Sequence, residues 1–534
     1  MPWLEWHNRN DDLKAAAKTP YRLLQPVKSL SYGDQDTPNM LIQGDNLEAL
    51  KALLPYYAGQ VKCVYIDPPF NTGAAFDHYD DNIEDTLWLS LMYRRLHYLR
   101  ELLHQNGCIF VHLDDKQTDN CRVLMDEVFG RKNFMGRITV SARSPSAFST
   151  VNPGVFKAAE YILWYARDRK RFSDVGGRIP RQVDYAYNKW LVNPEDHYEN
   201  WRWVPIEEAY GEVPQPRSKH PKSVIKHFDK FVIENAHRVC RTASISDTGA
   251  GEEIVTLKTR SLKCPGKIFC LKRGEGLDDV YVKDGEQILF YSKNVKDIDG
   301  RKQATTLLTN IWTDISWEGI SREGGVKFKK GKKPERLIRR CLELCTQPGD
   351  LVLDSFLGSG TTAAVAHKLR RQWIGVEIGG HAVSHCVPRL RSVIDGDQTG
   401  ISKDILWNGG GGFRFYQLGP KVFDDQGRIN LEIKFEHLAA HIWFAETGTA
   451  RSTRAMKSPL LGIHNGTAYY LLYNGVLGDK TLAGGNMLTM KVLAGLTKHD
   501  GPKVIYGEGT NMTAERLRSL GITFKKTPNE IRGR

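Results

Sequence analysis

The chain has 534 residues, 41% of them hydrophobic and 26% charged, which suits a soluble globular protein of about two to four domains with a sizeable buried core. No stretch approaches the roughly 18 uninterrupted apolar residues of a membrane span, and the opening Met1-Pro2-Trp3-Leu4-Glu5-Trp6 lacks the basic-then-apolar order of a signal peptide, so a cytoplasmic protein with no membrane partner is expected. The net charge is +13, and between Arg167 and Lys333 32 Lys and Arg meet 24 Asp and Glu; a polyanionic partner and a merely solvated basic surface both fit, so motifs must decide.

After an N-terminal arm of residues 1–38, Met40 to Gln43 reads as a short strand and Asn46 to Leu54 as a helix. Val61 to Ile66 reads as a buried strand, Thr86 to Leu103 as a long amphipathic helix and Cys108 to Leu113 as another strand, so residues 39–166 look like half of a parallel α/β sheet. That regularity is lost over 167–330, where Gly, Pro and Trp interrupt short runs, and a mixed, partly β inserted domain is expected. It returns over 331–420: Glu335 to Cys345 reads as a helix, Leu351 to Leu353 as a strand, Thr362 to Leu369 as a helix and Trp373 to Val376 as a strand. Residues 421–534, past the glycine run Gly409 to Gly412, have strand and helix signals of their own and are expected to form a small appended domain.

The nine cysteines (63, 108, 121, 240, 264, 270, 341, 345 and 386) are scattered and mostly sit in apolar runs, so they are read as reduced core residues. Cys341 and Cys345 can share a helix face, but with no second pair or His cluster near them no metal site is expected.

From Leu351 to Thr362 the order is strand, glycine-rich turn, helix. Glycine is needed there because a ligand must lie against backbone that no Cβ obstructs, while the free N–H groups of a helix N-terminus suit a carboxylate. Glu377, at the end of the next strand, can accept hydrogen bonds from the two hydroxyls of a ribose. A Gly-x-Gly turn alone is weak evidence; the longer string Asp354, Phe356, Gly358, Ser359, Gly360, Thr361 is much stronger. No Gly-x-x-x-x-Gly-Lys-Ser/Thr loop occurs, so the chain has no visible means of hydrolysing ATP.

A second string, Asp67-Pro68-Pro69-Phe70, follows directly on a hydrophobic strand, at the edge where open α/β sheets bind ligands. Two prolines stiffen the backbone and remove donors, which leaves carbonyls to be presented as acceptors. Asp67 and the carbonyl of Pro68 can then accept the two protons of an aromatic amine, drawing its lone pair out of conjugation toward an electrophilic methyl sulfonium, while Phe70 stacks on the base. A base inside a duplex cannot reach such a loop and must be flipped out. An Asp-Pro-Pro turn that merely ends a strand is the plainer alternative.

These two strings resemble motifs I and IV of the DNA amino-methyltransferases, and their order, catalytic string first, resembles the β class of that family. The resemblance runs from about residue 21 to 130 and from about 311 to 418, and looks closest to the Mod subunits of type III restriction-modification systems; supporting strings are Asn46 to Leu53, Met125 to Gly130 and Gly411 to Phe415. It implies a Rossmann-like methyltransferase sheet assembled from two sequence-distant halves, with a mixed α+β target-recognition domain over 167–330 and a small C-terminal domain. It implies S-adenosylmethionine as cofactor, held by Asp45 near its adenine, by Lys333 and Pro334 of a Lys-Pro-Glu element at its methionine end, by Asp354, Phe356, Gly358, Ser359, Gly360 and Thr361, and by Glu377. Trp88, Met92 and Arg95 also match family positions and are read as wall and core. Asp at position 67 favours adenine N6 over cytosine N4. Implied partners are double-stranded DNA, a second copy of the chain and a restriction subunit with helicase and nuclease activity. In the inserted region Tyr185, Tyr187, Trp190, Tyr198, Trp201 and Trp203 lie among Arg181, Lys189 and Arg202, a mixture able to stack on bases and bind phosphates, although such aromatics more often form core. Competing readings are a chain that only supplies recognition to an ATP-dependent endonuclease, and a methyltransferase of RNA or of a protein amide.

Overall fold

The computed structural model describes residues 4–7, 9–11, 19–69, 85–143, 155–173, 176–211, 213–214, 222–274, 277–298, 300–328, 331–423, 430, 433–452, 457–475, 481–482 and 485–527. They divide into two compact units, 1–175 with 310–534, and 176–309.

The larger unit is built on a mixed sheet. Its strands are β1 (Arg22–Pro26), β2 (Met40–Gln43), β3 (Val61–Ile66), β4 (Leu103–Leu113), β5 (Phe134–Ser141), β6 (Ala159–Ala166), β7 (Ile311–Trp312), β8 (Leu351–Asp354), β9 (Gln372–Glu377) and β10 (Gly412–Lys421). Their order across the sheet is β1-β10-β2-β9-β8-β3-β4-β6-β5-β7. From β10 to β4 neighbouring strands are parallel; β1, and the pairs β4–β6 and β6–β5, are antiparallel. Strand β3 is buried at all but one position and β8 at all four, as expected of parallel strands covered on both faces, which explains why they read as apolar runs rather than alternations. The two distant halves of the sequence meet at β8 and β3, with Val352 opposite Cys63 and Leu353 opposite Val64.

The helices of this unit that bear on the site are α1 (Asn46–Tyr57), α2 (Asp85–Leu102), α3 (Thr118–Met125), α4 (Glu335–Glu343), α5 (Thr361–Lys368), α6 (Val387–Ile394) and α7 (Phe435–Thr447). The Asp45 carboxylate caps α1 by accepting from the backbone N–H groups of Leu47 and Glu48, an interaction worth about 0.5–2 kcal/mol. Leu50, Leu53 and Leu54 of α1 share one buried cluster with Trp88, Met92 and Leu96 of α2 and with Val64 and Ile66 of β3.

Three segments lie differently from the sequence-based expectation. The arm over 1–38 supplies β1, whose Leu24 pairs with Leu418 at the edge of the sheet. Residues 421–534 carry a sheet of their own, Leu460–His464, Thr467–Leu471, Lys503–Gly507 and Ile522–Lys526, yet belong to the larger unit. Phe444 of α7 is buried in the α1 cluster, and the Tyr56 hydroxyl lies 2.8 Å from His437 Nδ1. The inserted unit is 176–309 rather than 167–330, because Ile311 and Trp312 pair with Thr139 and Val140 as β7 of the main sheet.

The inserted unit is α+β. An antiparallel sheet runs in the order Trp203–Pro205, Lys189–Leu191, Val239–Ser244, Glu286–Phe290, Val280–Lys283 and Ile268–Leu271, beside a smaller sheet of Val295–Ile298, Arg301–Leu307 and Arg178–Pro180. Tyr185 stacks on Phe228 and Trp190 on Phe231, while Tyr187 is buried edge-on against Tyr291, so half of the expected aromatic surface is core packing. Tyr198, Trp201 and Trp203 pack against the buried cluster of Cys240, Ile268 and Ile288, and Trp201 and Trp203 also line an open hollow of about 940 Å³ together with Lys189, Arg202 and Lys283.

Candidate active site at the carboxyl ends of β3 and β8

Because β3 and β8 are parallel neighbours, the loops that leave them, Asp67 onward and Ser355 onward, emerge at the same edge of the sheet. This is the edge at which open α/β sheets take ligands.

The loop after β8 is held through its own backbone groups. Gly358 and Gly360 have φ of +55° and +80°, the left-handed region that side chains with a Cβ avoid, and Gly360 starts α5. The Gly358 N–H donates to Glu377 Oε2 at 2.7 Å, and the Leu357 N–H to the carbonyl of Val376 at 3.1 Å. Glu377 Oε1 accepts from the Gly379 N–H at 3.0 Å and lies 2.9 Å from His381 Nε2. The carboxylate expected to meet a ribose is thus also the brace of the glycine turn. Asp354 is buried and accepts from the Phe356 N–H at 2.9 Å; burial pushes its carboxyl up to about 7. Phe356 packs at the rim of the core, and the Ser359 hydroxyl is 3.1 Å from that of Thr361, which accepts from Arg389 at 2.7 Å.

Asp45 pairs with Arg95 at 3.2 Å, and its side chain stays 40% exposed. Asn46 donates to the carbonyl of Ser355 at 2.7 Å and accepts from Arg95 Nε, tying α1 and α2 to the glycine turn. Asn46 and Arg95 as fasteners of this turn were not read from the sequence. Ile378, just past the strand end at Glu377, exposes 57% of its surface. A Cβ placed on Gly358 would meet only the carbonyl oxygen of Phe356, at 3.9 Å, so the turn leaves open space beside it. Open backbone, an apolar platform and exposed carboxylate together fit an adenosyl group carrying an amino-acid tail.

On the other side of the edge, Trp88 of α2 donates its indole N–H to the carbonyl of Pro69 at 2.7 Å. Among the described residues nothing donates to the carbonyl of Pro68. Phe70 lies outside the described residues. Asp67 keeps its side chain 18% exposed; Oδ2 lies 3.0 Å from Lys333 Nζ, and Oδ1 is buried without a partner. Burial raises the Asp67 carboxyl above the usual range, against the pull of Lys333.

Lys333 Nζ also lies 3.5 Å from Glu160 Oε2, which in turn is 2.8 Å from His112 Nε2. The Tyr65 hydroxyl closes the row at 2.8 Å from His112 Nδ1. Burial alone would lower the Lys333 ammonium, but Asp67 and Glu160 outweigh it and hold the group above its ordinary value. Burial would likewise raise the Glu160 carboxyl; Lys333 and then His112 override it and hold it at about 2. Lys333 thus lies against the loop after β3, Pro334 opens α4, and Glu335 is fully buried between Lys368 and Arg389, 2.9 Å from each. Glu160 and His112 escaped the reading from sequence, although each is a buried polar residue beside apolar neighbours in a strand, which is the available signal.

The thiols of Cys63, Cys108 and Cys345 come within 4.8 Å of one another, all buried, so the structure groups Cys345 with β3 and β4 rather than only with Cys341.

A profile of the DNA methylase family (N6/N4) matches residues 61–387. A Haemophilus influenzae chain named as the HindVI Mod subunit of a type III restriction-modification enzyme is 32% identical over 423 residues, 74% of this chain and 56% of that one. The EcoPI Mod subunit of Escherichia phage P1, also named as type III restriction-modification, is 27% identical over 68% of this chain and 60% of its own. The chain therefore spans less than two thirds of the length of these relatives. Among solved structures, the PvuII cytosine-N4-specific DNA methyltransferase aligns at 16% identity over 66% of this chain and 86% of that one, with a TM-score of 0.32, too low to bear on the site. With a family match running across more than half of its length, through the strands that carry both loops, this chain belongs to the DNA methylase family.

Proposed function

We propose that this chain transfers a methyl group from S-adenosylmethionine to the N6 amine of an adenine flipped out of duplex DNA, within a restriction-modification or related defence system. The observation that carries the reading is the pair of acceptors beside the glycine turn, Asp67 Oδ1 and the carbonyl of Pro68, which have no donor among the described residues. The amine of adenine is a poor nucleophile because its lone pair is delocalised into the ring. Two acceptors at fixed positions take its two N–H bonds, rotate the lone pair out of the ring plane and stabilise the positive charge that grows on nitrogen. Trp88 engages the Pro69 carbonyl, which leaves that of Pro68 as the acceptor for the amine. Asp67, whose carboxyl burial has raised, is a better proton acceptor than a solvated Asp and takes the proton the alkylated amine must shed.

Asp45, Phe356, Gly358, Ser359, Gly360, Thr361, Ile378 and Glu377 would hold the cofactor, with Asp354 shaping the turn. When bound, that cofactor supplies a methyl group on a positively charged sulfur, so the chemistry needs orientation rather than a strong base. We further propose that 176–309 reads the DNA sequence, that the chain works as a dimer, and that a restriction subunit is its partner; the Mod names of its relatives support the last of these. The test is nucleoside analysis of DNA methylated in vitro by purified chain. N6-methyladenine is expected; N4-methylcytosine would replace the adenine assignment, and absence of any methylated nucleoside despite specific DNA binding would favour a recognition subunit.

A further inference from the structure

The row Tyr65, His112, Glu160, Lys333 joins strands β3, β4 and β6 to the start of α4 and ends on Asp67. Its members are buried, and buried ion pairs of this kind add little net stability compared with apolar packing, so stability alone does not account for a lysine and a glutamate here. A Lys ammonium is a point charge on a flexible stem and does not fix its own position. Here Glu160 draws it from one side and Asp67 from the other. On its far side Glu160 meets His112, whose Nε2 lies 2.8 Å from Oε2 and whose Nδ1 lies 2.8 Å from the Tyr65 hydroxyl.

Resting on the methyl-transfer reading above, we infer that Glu160 is a positioning residue for the reaction: through Lys333 it holds Asp67 Oδ2, leaving Oδ1 aimed at the amine, and it tempers the charge that keeps Asp67 ionised. Among the described residues Asp67 faces Lys333, His112 and Glu160, with Tyr65 of the preceding strand and Asp354 of β8 as further titratable neighbours; Arg143 acts on Glu160. Lys333 favours ionised Asp67, as does His112, and Glu160 opposes it. Removing the Lys333 charge and removing the Glu160 charge therefore move the acid limb of the pH profile in opposite directions, which a merely structural pair would not do.

The test compares single-turnover pH profiles and cofactor affinities of the full chain and its variants. Lys333→Gln is expected to raise the acid limb by about one pH unit and cut the rate about 100-fold. Glu160→Gln should lower the limb by roughly half a unit and cut the rate about tenfold, and Glu160→Asp should restore the limb. Calorimetry with S-adenosylmethionine alone should give affinities within about threefold of the parent for all three. A large affinity loss in Lys333→Gln would assign that lysine to the methionine end of the cofactor and overturn the inference, as would limbs that shift together or not at all. Should Glu160→Gln fail to fold, His112→Gln, which unpins Glu160 and spares both charges, must still slow transfer; a parental rate overturns the inference. If Asp67→Asn itself transfers methyl groups normally, the proposed function fails; if it is dead while the charge variants keep the parental profile, only the positioning role fails.

Discussion

The two loops at the carboxyl edge are held by different forces. In the loop after β8 it is the main chain that is gripped: the N–H groups of Phe356, Leu357 and Gly358 donate to Asp354, Val376 and Glu377, the Ser355 carbonyl accepts from Asn46, and two glycines take left-handed backbone. The loop after β3 rests on side chains: an indole on the Pro69 carbonyl and an ammonium between two carboxylates. A backbone-built loop should fail through conformation and take binding with it. A loop built from side chains should lose reactivity while binding survives.

The sharpest way to break this contrast is Asp67→Ala, which should lower methyl transfer by about 10³-fold or more while cofactor affinity stays within a few-fold, read by label transfer and calorimetry. Gly358→Ala should act the other way. Forcing a Cβ into the left-handed region costs about 1–2 kcal/mol, and calorimetry should find cofactor affinity down about tenfold or more. Trp88→Phe keeps most of the packing and removes the donor to Pro69, so the rate should fall about five- to tenfold at saturating cofactor.

The smallest effect is on stability. The Asp354 carboxyl sits near 7 in the folded chain and near the ordinary 3.8 when unfolded, so between those values the folded state binds the extra proton. Its contribution is fully present below about 4 and disappears as pH rises through about 7. Asp354→Asn, which does not titrate, should therefore gain on the parent by roughly a few degrees in Tm on going from pH 5 to pH 8.

Much of the larger unit was legible because its strands obey a simple rule. Val61–Ile66 and Leu351–Asp354 are apolar runs ending in an acidic residue and a turn, and the spacing of helices between strands carries the parallel arrangement. What stayed hidden depended on contacts distant in sequence. Ile311–Trp312 is too short for any periodicity, and only its pairing with Thr139 and Val140 puts it in the main sheet. Arg22–Pro26 read as an arm because nothing local signals Leu418 as its partner. The Asp67 and Gly358 strings were visible as chemistry, whereas Lys333, known only by resemblance, took its place beside Asp67 through the β3–β8 pairing and the start of α4. Glu160 lay in an apolar strand with no neighbour in sequence to explain its charge.

Convergence of the two loops on one cleft is tested most directly by ultraviolet cross-linking of S-adenosylmethionine labelled in its methyl group, followed by peptide mapping. The label should appear in the peptide that carries Asp67 and should fall away in Gly358→Ala. Label confined to peptides remote from both loops, or an Asp67 peptide labelled equally in Gly358→Ala, would contradict a shared site.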